Sequence, residues 1–341
     1  MSHFGLLTDP EQYARRNADP IADAEARTHW LEHFAAQMDR LVQLSGDLRG
    51  QAAAPTLAKA REAYGRELDT LADTPLRPKD LSALREKILR AHRLIDPLSP
   101  VKQRWNVRAV EHYLPRVDEL DALDAPERWT NLITGVLAAG LVGFHAGTHD
   151  PADGLPIERV PARPWLVDDY DRLAEALPVD NVSAWSKVVL FIDGAGADFV
   201  LGVMPLARDL ALDGVRVVLA ANETPALAAV TADEVIELAE QLAGLDADLR
   251  DLISADMFEV VSTGSRLETL DLCEVSDELN AAAADAELVA LLGMNRGLGG
   301  NLDARFTCDC LRLCLLTDPA VAATVGGRAG DAFCQFTPAG D

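Results

Sequence analysis

Residues 187–198 read Lys187-Val-Val-Leu-Phe-Ile-Asp-Gly-Ala-Gly-Ala-Asp198, an apolar run that leads into a turn of small residues. An apolar run without alternating polar residues is typical of a strand that is buried on both faces. The chain continues into an amphipathic helix over about residues 199–212, which Gly214 ends, and then into a second apolar strand over residues 215–221. Strand, helix and strand in this order predict a parallel sheet that is covered by helices on both faces.

The rest of the chain extends this sheet and places a helical region before it. Apolar residues recur at helical spacing over residues 25–42 and 80–95. We therefore predict an α/β fold, with a helical N-terminal subdomain over residues 1–150 and a Rossmann-like, mostly parallel sheet over residues 151–341. The second part is expected to carry the ligand cleft. Its further predicted strands cover residues 258–261, 288–292, 311–316 and 332–336.

The chain is strongly acidic, with 55 Asp and Glu residues against 31 Lys and Arg residues and a formal net charge of -24. Such a surface repels phosphate backbones and anionic lipid headgroups, so nucleic acids and membrane surfaces are not expected partners. The five cysteines are an odd number and cluster towards the C-terminus, and no signal peptide is apparent. We therefore expect a cytoplasmic protein with reduced thiols and a small-molecule metabolite as its partner.

The residues that follow the apolar strands are the candidates for a site, because ligands of open parallel sheets bind beyond the carboxyl ends of the strands. Asp193 ends the first strand, Asn222 follows the second, and Ser262 follows the third. Gly293 begins a glycine-rich turn after the fourth strand. Since parallel strands align their carboxyl ends, these four residues are predicted to border a single cleft.

Each candidate has a chemical role and a competing structural one. Gly194 and Gly196 would let a ligand approach the backbone, although glycines in such turns also serve packing. Asp193 or Glu223 would bind a cation or a ribose hydroxyl. Glu223 and the preceding Asn222 would alternatively cap a helix. Arg296 would pair with a phosphate or a carboxylate, or else lie in solvent.

Three cysteines and two histidine pairs are interpreted mainly as structural. Alternation along a strand puts the cysteines on one buried face, and their spacing fits no strong zinc pattern. Each histidine pair has the spacing of one helical turn, but a pair without a third ligand more often serves a structural role or faces solvent than binds a metal. The residues are Cys308, Cys310 and Cys314, the pair His29 and His33, and the pair His145 and His149.

Short motifs in a fixed order run through nearly the whole chain. They are Phe4-Gly-Leu-Leu-Thr-Asp-Pro10, Arg163-Pro-Trp-Leu-Val-Asp-Asp169, Phe191-Ile-Asp-Gly-Ala-Gly-Ala-Asp-Phe-Val-Leu-Gly202, Leu219-Ala-Ala-Asn-Glu-Thr-Pro225, Gly293-Met-Asn-Arg296, Asn301, Cys308 and Val325-Gly-Gly-Arg328. In their order these motifs resemble the damage-control phosphatase family. The similarity is to its plant-type branch, which includes the phosphatase domain of an animal pantothenate kinase paralogue.

The resemblance implies hydrolysis of phosphomonoesters with a divalent cation, on a Rossmann-like domain with a helical N-terminal part. The implied substrates are damaged or surplus metabolites, among them 4'-phosphopantetheine derivatives and sugar phosphates. One branch of the family has been described as a carboxyl methyltransferase that uses S-adenosylmethionine. The candidate catalytic residues are then Asp193, Asp198 and Asn222, with Asp193 also a metal ligand. The candidate substrate-binding residues are Arg163, Gly194, Gly196, Glu223, Ser262, Arg296 and Asn301.

The sequence departs from the family at polar positions of the expected cleft. The family places Asp-Asn at the strand end and a further Asp in the next segment, and these three side chains bind the metal. Asp193 remains here, but Gly194 and Ala229 stand at the other two positions. A hard cation needs several oxygen ligands, so weakened metal-dependent chemistry is expected. Further family positions with polar groups are occupied here by Gly140, Gly143, Ala228, Leu292 and Thr317.

Three functions of different kinds remain open from the sequence. The first is a phosphatase whose metal site draws on other groups, such as Asp198 or Glu223. The second is an enzyme that uses S-adenosylmethionine, since a glycine-rich turn over residues 193–196 with an acid near the end of the next strand suits an adenosine-containing ligand. The third is a non-catalytic binding protein on the same fold. Affinity for a divalent metal separates the first function from the other two.

Overall fold

A computed structural model of the protein describes residues 2–21, 23–49, 53–71, 74–144, 154–179 and 182–340. These residues form a seven-stranded sheet whose strands are β1 (Val167–Asp168), β2 (Lys187–Phe191), β3 (Arg216–Ala221), β4 (Phe258–Ser262), β5 (Leu288–Leu292), β6 (Asp309–Leu315) and β7 (Ala332–Thr337). The strand order is β1-β7-β6-β5-β2-β3-β4. All neighbouring strands are parallel except β6 and β7, which are antiparallel.

The prediction of an α/β fold with a mostly parallel sheet is confirmed by this topology. Every apolar run that predicts a strand forms one, with ends that shift by only one or two residues. Strand β1 was not predicted, because its two residues are too few for any periodicity to show. The antiparallel pairing of β7 was not predicted either, since an apolar run carries no information on strand direction.

Helices flank the sheet on both sides and form most of the N-terminal part. None of the helices in the described ranges is long and apolar enough to cross a membrane. A 3₁₀ turn covers Ile157–Arg159, and a π-helical segment over Asp198–Val203 runs directly into α8. The α-helices are α1 (Pro10–Ala18), α2 (Ala24–Arg49), α3 (Ala54–Leu71), α4 (Pro78–Ala91), α5 (Ser99–Asp121), α6 (Ala125–Ala139), α7 (Tyr170–Ala174), α8 (Met204–Leu212), α9 (Ala232–Ala243), α10 (Ala247–Ser254), α11 (Asp277–Ala283), α12 (Met294–Gly297) and α13 (Pro319–Thr324).

Both faces of the sheet are buried, which explains why its strands are apolar at successive positions. Val188 and Leu190 of β2 point into a core that includes residues of α6, α8 and α9. Val189 and Phe191 point to the opposite face, where Phe4 packs its ring edge-on against Phe191 with 5.5 Å between the ring centroids. The first residues of the chain therefore cover the sheet instead of belonging to the helical part.

The N-terminal helices have a core of their own but also contribute to the core of the sheet. Phe34, Leu57 and Tyr64 are buried together among α2, α3 and α4. Helix α6 instead buries Trp129 and Ile133 in the same core as β2 and β3. A division of the chain near residue 150 remains a prediction, and residues 145–153, with the pair His145 and His149, lie outside the described residues.

Candidate functional site

A cavity of about 70 Å³ lies at the carboxyl ends of the central strands β2 and β5. Asp193 and Gly194 reach it from the end of β2, and Gly293 reaches it from the end of β5. Trp105 of α5 and Ala139 of α6 contribute to its wall from the helical side. The cavity thus lies at the point where a parallel sheet offers its ligand site, between two strands whose connections leave in different directions.

The carboxylate of Asp193 is held by the turn that follows β5. The backbone nitrogen of Asn295 lies 3.2 Å from Oδ2 of Asp193, and the side-chain Nδ2 of Asn295 donates to Oδ1, also at 3.2 Å. Gly293 has a φ of +91°, and a Cβ atom there would come within 2.5 Å of the Asp193 side chain. Glycine is therefore required at position 293, both for the left-handed turn and for the close approach of this carboxylate.

Asp198 brings a second carboxylate to the same cavity. It begins the π-helical segment, and its Oδ2 accepts a hydrogen bond from the backbone N–H of Gly194. Burial and the negative charge of Asp193 raise the pKa of Asp198 to about 7. An acid whose pKa is raised beside a second carboxylate in a cavity is typical of a site that binds a cation or shares a proton.

The two positions where the resemblance implies further metal ligands adjoin these acids. Gly194 and Ala229 pair with each other in an antiparallel β-bridge, and both line the cavity. A Cβ atom at position 194 would lie 2.9 Å from Oδ2 of Asp198. The carboxylate of Asp198 therefore takes up space next to the position where the resemblance implies an asparagine side chain.

The other departures from the family also gather around this cavity, with one exception. The exception is Leu292, which ends β5 and is buried in the core of the sheet. The positions at which the sequence was expected to depart from the family thus lie together in one small volume, beside the carboxylates of Asp193 and Asp198. The departures that line the cavity are Gly140, Gly143, Gly194, Ala228, Ala229 and Thr317.

Arg296 and Asn222 lie behind the cavity and not in its wall. Arg296 is fully buried, donates from Nε to the carbonyl of Ile192 at 2.9 Å and donates from one terminal nitrogen to Oδ1 of Asn222 at 2.7 Å. Its Nε also lies 3.9 Å from Oδ1 of Asp193. Burial lowers the pKa of Arg296, but a guanidinium stays protonated. The positive charge of Arg296 therefore attracts the carboxylate of Asp193. The hydrogen bond to Asn222 fixes the position of the guanidinium.

Neither Ser262, which was predicted to border the cleft, nor Glu223, a candidate substrate-binding residue, lines the cavity. Glu223 is exposed and forms an ion pair with Arg266 at 3.0 Å. Ser262 ends β4, the edge strand, which is separated from β2 by β3. Its hydroxyl accepts a hydrogen bond from Gly264 within the same loop. The sequence correctly places both residues at or just after the ends of strands. The strand order, which the sequence does not show, puts β3 and β4 on the side of β2 that faces away from β5.

Three further predicted residues serve the fold instead of the cavity. Arg163 lies beside β1 at the opposite edge of the sheet, where it pairs with Asp168 at 2.9 Å. Asn301 is buried, and its Nδ2 donates to the carbonyls of Leu270 and Arg296. Gly196 packs against α5, since a Cβ atom there would lie 2.8 Å from the side chain of Trp105. None of the three lines the cavity beside Asp193.

A larger groove of about 250 Å³ adjoins the cavity and shares Glu268, Met294 and Asn295 with it. Trp30 and Phe34 of α2 form part of the opposite wall. The groove therefore runs between the N-terminal helices and the carboxyl ends of the strands, and a ligand that starts in the cavity can extend into it.

A chain of buried hydrogen bonds connects the cavity with the far side of this groove. Glu268 accepts from Arg85 at 2.6 Å, and Arg85 donates from its other terminal nitrogen to Oε1 of Gln37 at 2.7 Å. Nε2 of Gln37 contacts Nε2 of His33 at 2.8 Å, and Nδ1 of His33 contacts Asp318 at 2.8 Å. Burial would raise the pKa of Glu268, but the charge of Arg85 and a hydrogen bond from Ser82 lower it overall. Glu268 is thus an ionised side chain shared by cavity and groove.

Sequence reasoning did not single out Glu268 and Asn295 among the site residues. Asn295 lies inside the glycine-rich turn after β5, so its position next to Gly293 was the available signal. Glu268 lies in the loop after β4, beyond the strand end, and its partner Arg85 comes from α4. A contact between such distant parts of the chain leaves no local pattern in the sequence.

The side chains present in the cavity fit a weak site for a divalent cation. Asp193 and Asp198 offer carboxylate oxygens, the carboxylate of Glu268 is already paired with Arg85, and Gly194 and Ala229 offer no side-chain donor. Mg²⁺ is often bound by one or two carboxylates together with waters and the phosphate of a substrate. The pair is therefore sufficient for an ion that phosphate helps to hold, and insufficient for a tight site made by the protein alone.

Comparison with known protein families gives a match over most of the chain. A family described as "Damage-control phosphatase ARMT1-like domain" matches residues 32–333. The chain is 31% identical to a damage-control phosphatase from Arabidopsis thaliana, over 93% of this chain and 90% of that protein. Among solved structures, a DUF89 family protein from Pyrococcus horikoshii has a TM-score of 0.66 at 17% identity, with 90% of this chain and 96% of the other covered.

Longer relatives contain a region that is similar to this chain. "Pantothenate kinase 2" from Oryza sativa is 32% identical over 98% of this chain, which amounts to 41% of that protein. "4'-phosphopantetheine phosphatase" from Mus musculus is 28% identical over 95% of this chain and 47% of that protein. The chain thus spans less than half the length of these two relatives.

Proposed function

The chain belongs to the ARMT1-like damage-control phosphatase family, and we propose that it binds a small phosphorylated metabolite and hydrolyses its phosphomonoester slowly with a divalent cation. The observation that carries this proposal is the meeting of Asp193 and Asp198 in one cavity at the carboxyl ends of β2 and β5. The loss of side-chain oxygens at Gly194 and Ala229 is the reason for expecting slow turnover.

Asp193 and Asp198 are the residues that would hold the cation. When bound, such an ion neutralises charge on the phosphoryl group and activates a water for attack. Asn295 keeps Asp193 oriented through its two hydrogen bonds. Arg296 offsets part of the negative charge from behind, so that two acids can remain close together before the cation arrives.

The phosphate end of the substrate fits the cavity and the rest of the molecule fits the groove. A volume of about 70 Å³ is far below the 300 Å³ or more of a typical pocket for a whole small molecule. The adjoining groove supplies about 250 Å³ with aromatic, acidic and basic side chains in its wall. An elongated substrate of mixed polarity is therefore favoured, and 4'-phosphopantetheine, named in the mouse relative, is a suitable first compound to test.

The alternative use of S-adenosylmethionine receives less support from the geometry. The cavity beside Asp193 is too small for an adenosine group, which would have to lie in the adjoining groove, away from the glycine-rich turn over residues 193–196. Glu223, which was to bind ribose hydroxyls, is on the surface with Arg266. Arg296, which was to bind the carboxylate, uses two of its nitrogens for Ile192 and Asn222. Calorimetry with S-adenosylmethionine and S-adenosylhomocysteine remains the direct test of this alternative.

We expect Mn²⁺ alone to raise the unfolding temperature only slightly, and Mn²⁺ with inorganic phosphate to raise it by more than the sum of the two separate shifts. The reason is that phosphate supplies the oxygen ligands that the chain lacks. Differential scanning fluorimetry measures this coupling. Slow release of phosphate from 4'-phosphopantetheine or sugar phosphates, tested with Mg²⁺, Mn²⁺, Co²⁺ and Ni²⁺, measures the activity itself.

Asp193→Asn and Asp198→Asn should each remove both the coupled stabilisation and the turnover. Asp69→Asn, at an exposed position of α3, is the matched control and should change neither. Turnover that survives both cavity substitutions would place the chemistry elsewhere. A complete lack of coupling between cation and phosphate in the unaltered protein would contradict the proposed function.

A further inference from the structure

Two histidines of α2 and an aspartate from near the C-terminal end meet beside the groove. Nε2 of His29 lies 3.4 Å from Oδ1 of Asp318, and Nδ1 of His33 lies 2.8 Å from Oδ2. One donor atom from each of the three residues lies within 4.8 Å of those of the other two. The imidazole rings stack, with 5.9 Å between their centroids, because the two histidines are one helical turn apart.

The fold holds the aspartate of this cluster firmly. Asp318 is the N-cap of α13, and its Oδ1 accepts hydrogen bonds from the backbone nitrogens of Ala320 and Val321 at 2.8 and 2.9 Å. Only 5% of Asp318 is exposed. The cap fixes the orientation of the carboxylate and leaves Oδ2 directed at His33.

The structure supplies the third ligand that the sequence did not show. From its spacing alone, the pair His29 and His33 was interpreted as structural, because a pair does not make a metal site. In addition, Nε2 of His29 is shielded from solvent and makes no hydrogen bond among the described residues, although Oδ1 of Asp318 lies 3.4 Å away. A buried nitrogen without a hydrogen bond lowers the stability of the folded protein, and coordination to a metal ion would compensate for this loss.

We propose that His29, His33 and Asp318 bind one divalent transition-metal ion, with Zn²⁺ as the expected occupant, at a site separate from Asp193 and Asp198. Two imidazoles and one carboxylate suit Zn²⁺ better than Mg²⁺, which prefers oxygen ligands alone. Zinc bonds of about 2.0–2.2 Å place tetrahedral ligand atoms roughly 3.3 Å apart. The three donor atoms already lie within 4.8 Å of one another, although the two imidazoles now face different oxygens of Asp318, so binding requires a modest rearrangement of these side chains.

The fourth coordination position of such an ion is open to a water or a ligand, since three ligands come from the part of the chain that the structure describes. His33 and Asp318 line the groove that adjoins the cavity. A soft or anionic group of a molecule in the groove would therefore lie next to the ion. This metal site is distinct from the proposed hydrolytic site. The phosphate of a substrate would lie in the cavity at Asp193 and Asp198, whereas the metal ion would contact the part of the same molecule that lies in the groove.

Gln37 limits how tightly the ion is held. Arg85 donates to Oε1 of Gln37, which leaves the Nε2 of Gln37 as the atom that faces His33. Nε2 of His33 must then accept a hydrogen bond, and its proton resides on Nδ1, the atom that faces Asp318. A metal on Nδ1 needs the opposite tautomer, with the proton on Nε2. The amide of Gln37 therefore works against the ion in the unaltered protein.

A glutamate at position 37 should reverse this effect. Its carboxylate would accept from Arg85 and from Nε2–H of His33 at the same time. Carboxylates that orient a metal-binding histidine in this way change metal affinity by about 10–100-fold. Gln37→Glu is therefore expected to tighten Zn²⁺ binding about tenfold, without adding a ligand to the ion.

The test is a calorimetric titration of Zn²⁺ into the full chain, carried out in an Asp193→Asn background so that the cavity does not compete. We expect one equivalent to bind, and His29→Ala and Asp318→Asn to abolish this binding. Asparagine is a good N-cap, so Asp318→Asn keeps the helix start while it removes the charge. Visible absorption of the Co²⁺-loaded protein, which His33→Ala should remove, reports directly on the ligands.

His92→Ala is the matched control, since His92 is the half-buried C-cap of α4, does not belong to the cluster and has its Nδ1 2.9 Å from the carbonyl of Ile88. It should leave Zn²⁺ affinity unchanged. Circular dichroism of each variant shows whether the fold is retained. Zn²⁺ binding that persists in His29→Ala and Asp318→Asn, or no binding by the unaltered site, overturns the proposal. An unchanged affinity in Gln37→Glu would overturn the role given to Gln37.

Discussion

Ala229→Asp is expected to raise the affinity of the cavity for Mn²⁺ about thirtyfold and to increase phosphomonoesterase activity with it. Ala229 lines the cavity and pairs with Gly194, so a carboxylate there would join those of Asp193 and Asp198. Two unit charges 4 Å apart attract by about 4 kcal/mol at an effective dielectric constant of 20, and a divalent ion doubles this. Repulsion among three carboxylates offsets most of the gain, which leaves about 2 kcal/mol.

Isothermal titration with Mn²⁺ and kcat/KM for a phosphomonoester measure the two effects. Ala229→Asn is the matched control, because it adds nearly the same volume without the charge and should give a much smaller gain. In an Asp193→Asn background the gain from Ala229→Asp should largely disappear, since the ligands act together. If Ala229→Asp binds Mn²⁺ no better than Ala229→Asn does, the cation does not lie between these side chains.

Gly194→Asn would introduce the other side chain that the family resemblance implies, but by itself it is not expected to raise Mn²⁺ affinity. A Cβ atom at position 194 would lie 2.9 Å from Oδ2 of Asp198, so the new side chain would push this carboxylate aside. The gain of one oxygen ligand would be offset by the displacement of another. The same titration should therefore show little change in Mn²⁺ affinity, and a gain as large as that of Ala229→Asp would contradict this account of Asp198.

The sheet could be predicted from the sequence because the residue types of each strand indicate whether its two faces are buried. The run from Val188 to Ile192 is apolar at every position, and only a strand covered on both faces requires this. The adjacency of Asp193 and Gly293 also followed, since both end parallel strands. The strand order was not encoded in any local pattern, and it is the order that separates Ser262 from the cavity.

The residues that complete the site depend on contacts between distant parts of the chain. Asp198 is close to Asp193 in sequence and could be proposed with it. Glu268 reaches the cavity from a loop and is ionised because Arg85 of α4 lies beside it. Asp318 meets the histidines of α2 in the same way. Burial and pairing decide the chemistry of these side chains, and neither is visible from residue type and spacing alone.

Arg85→Leu is expected to lower the free energy of unfolding by about 3–5 kcal/mol, because it leaves a buried charge without its partner. Arg85 is fully buried and donates to Glu268 at 2.6 Å, to Glu86 at 3.2 Å and to Gln37 at 2.7 Å. Burial raises the pKa of Glu86 to about 7, so this acid can take up a proton when Arg85 is lost. Glu268 is ionised in the presence of Arg85 and is the group that becomes stranded.

Equilibrium unfolding in urea measures the loss, and two further variants identify its cause. Arg85→Leu combined with Glu268→Leu should recover much of the stability, since replacing both partners of a buried ion pair with apolar residues is often close to neutral. Arg61→Ala is the control, because Arg61 forms a bidentate pair with Asp39 on the exposed face of α3 and solvent screens that pair. No measurable change is expected there. If the double variant is as unstable as Arg85→Leu, the loss comes from packing around Arg85 and not from the charge of Glu268.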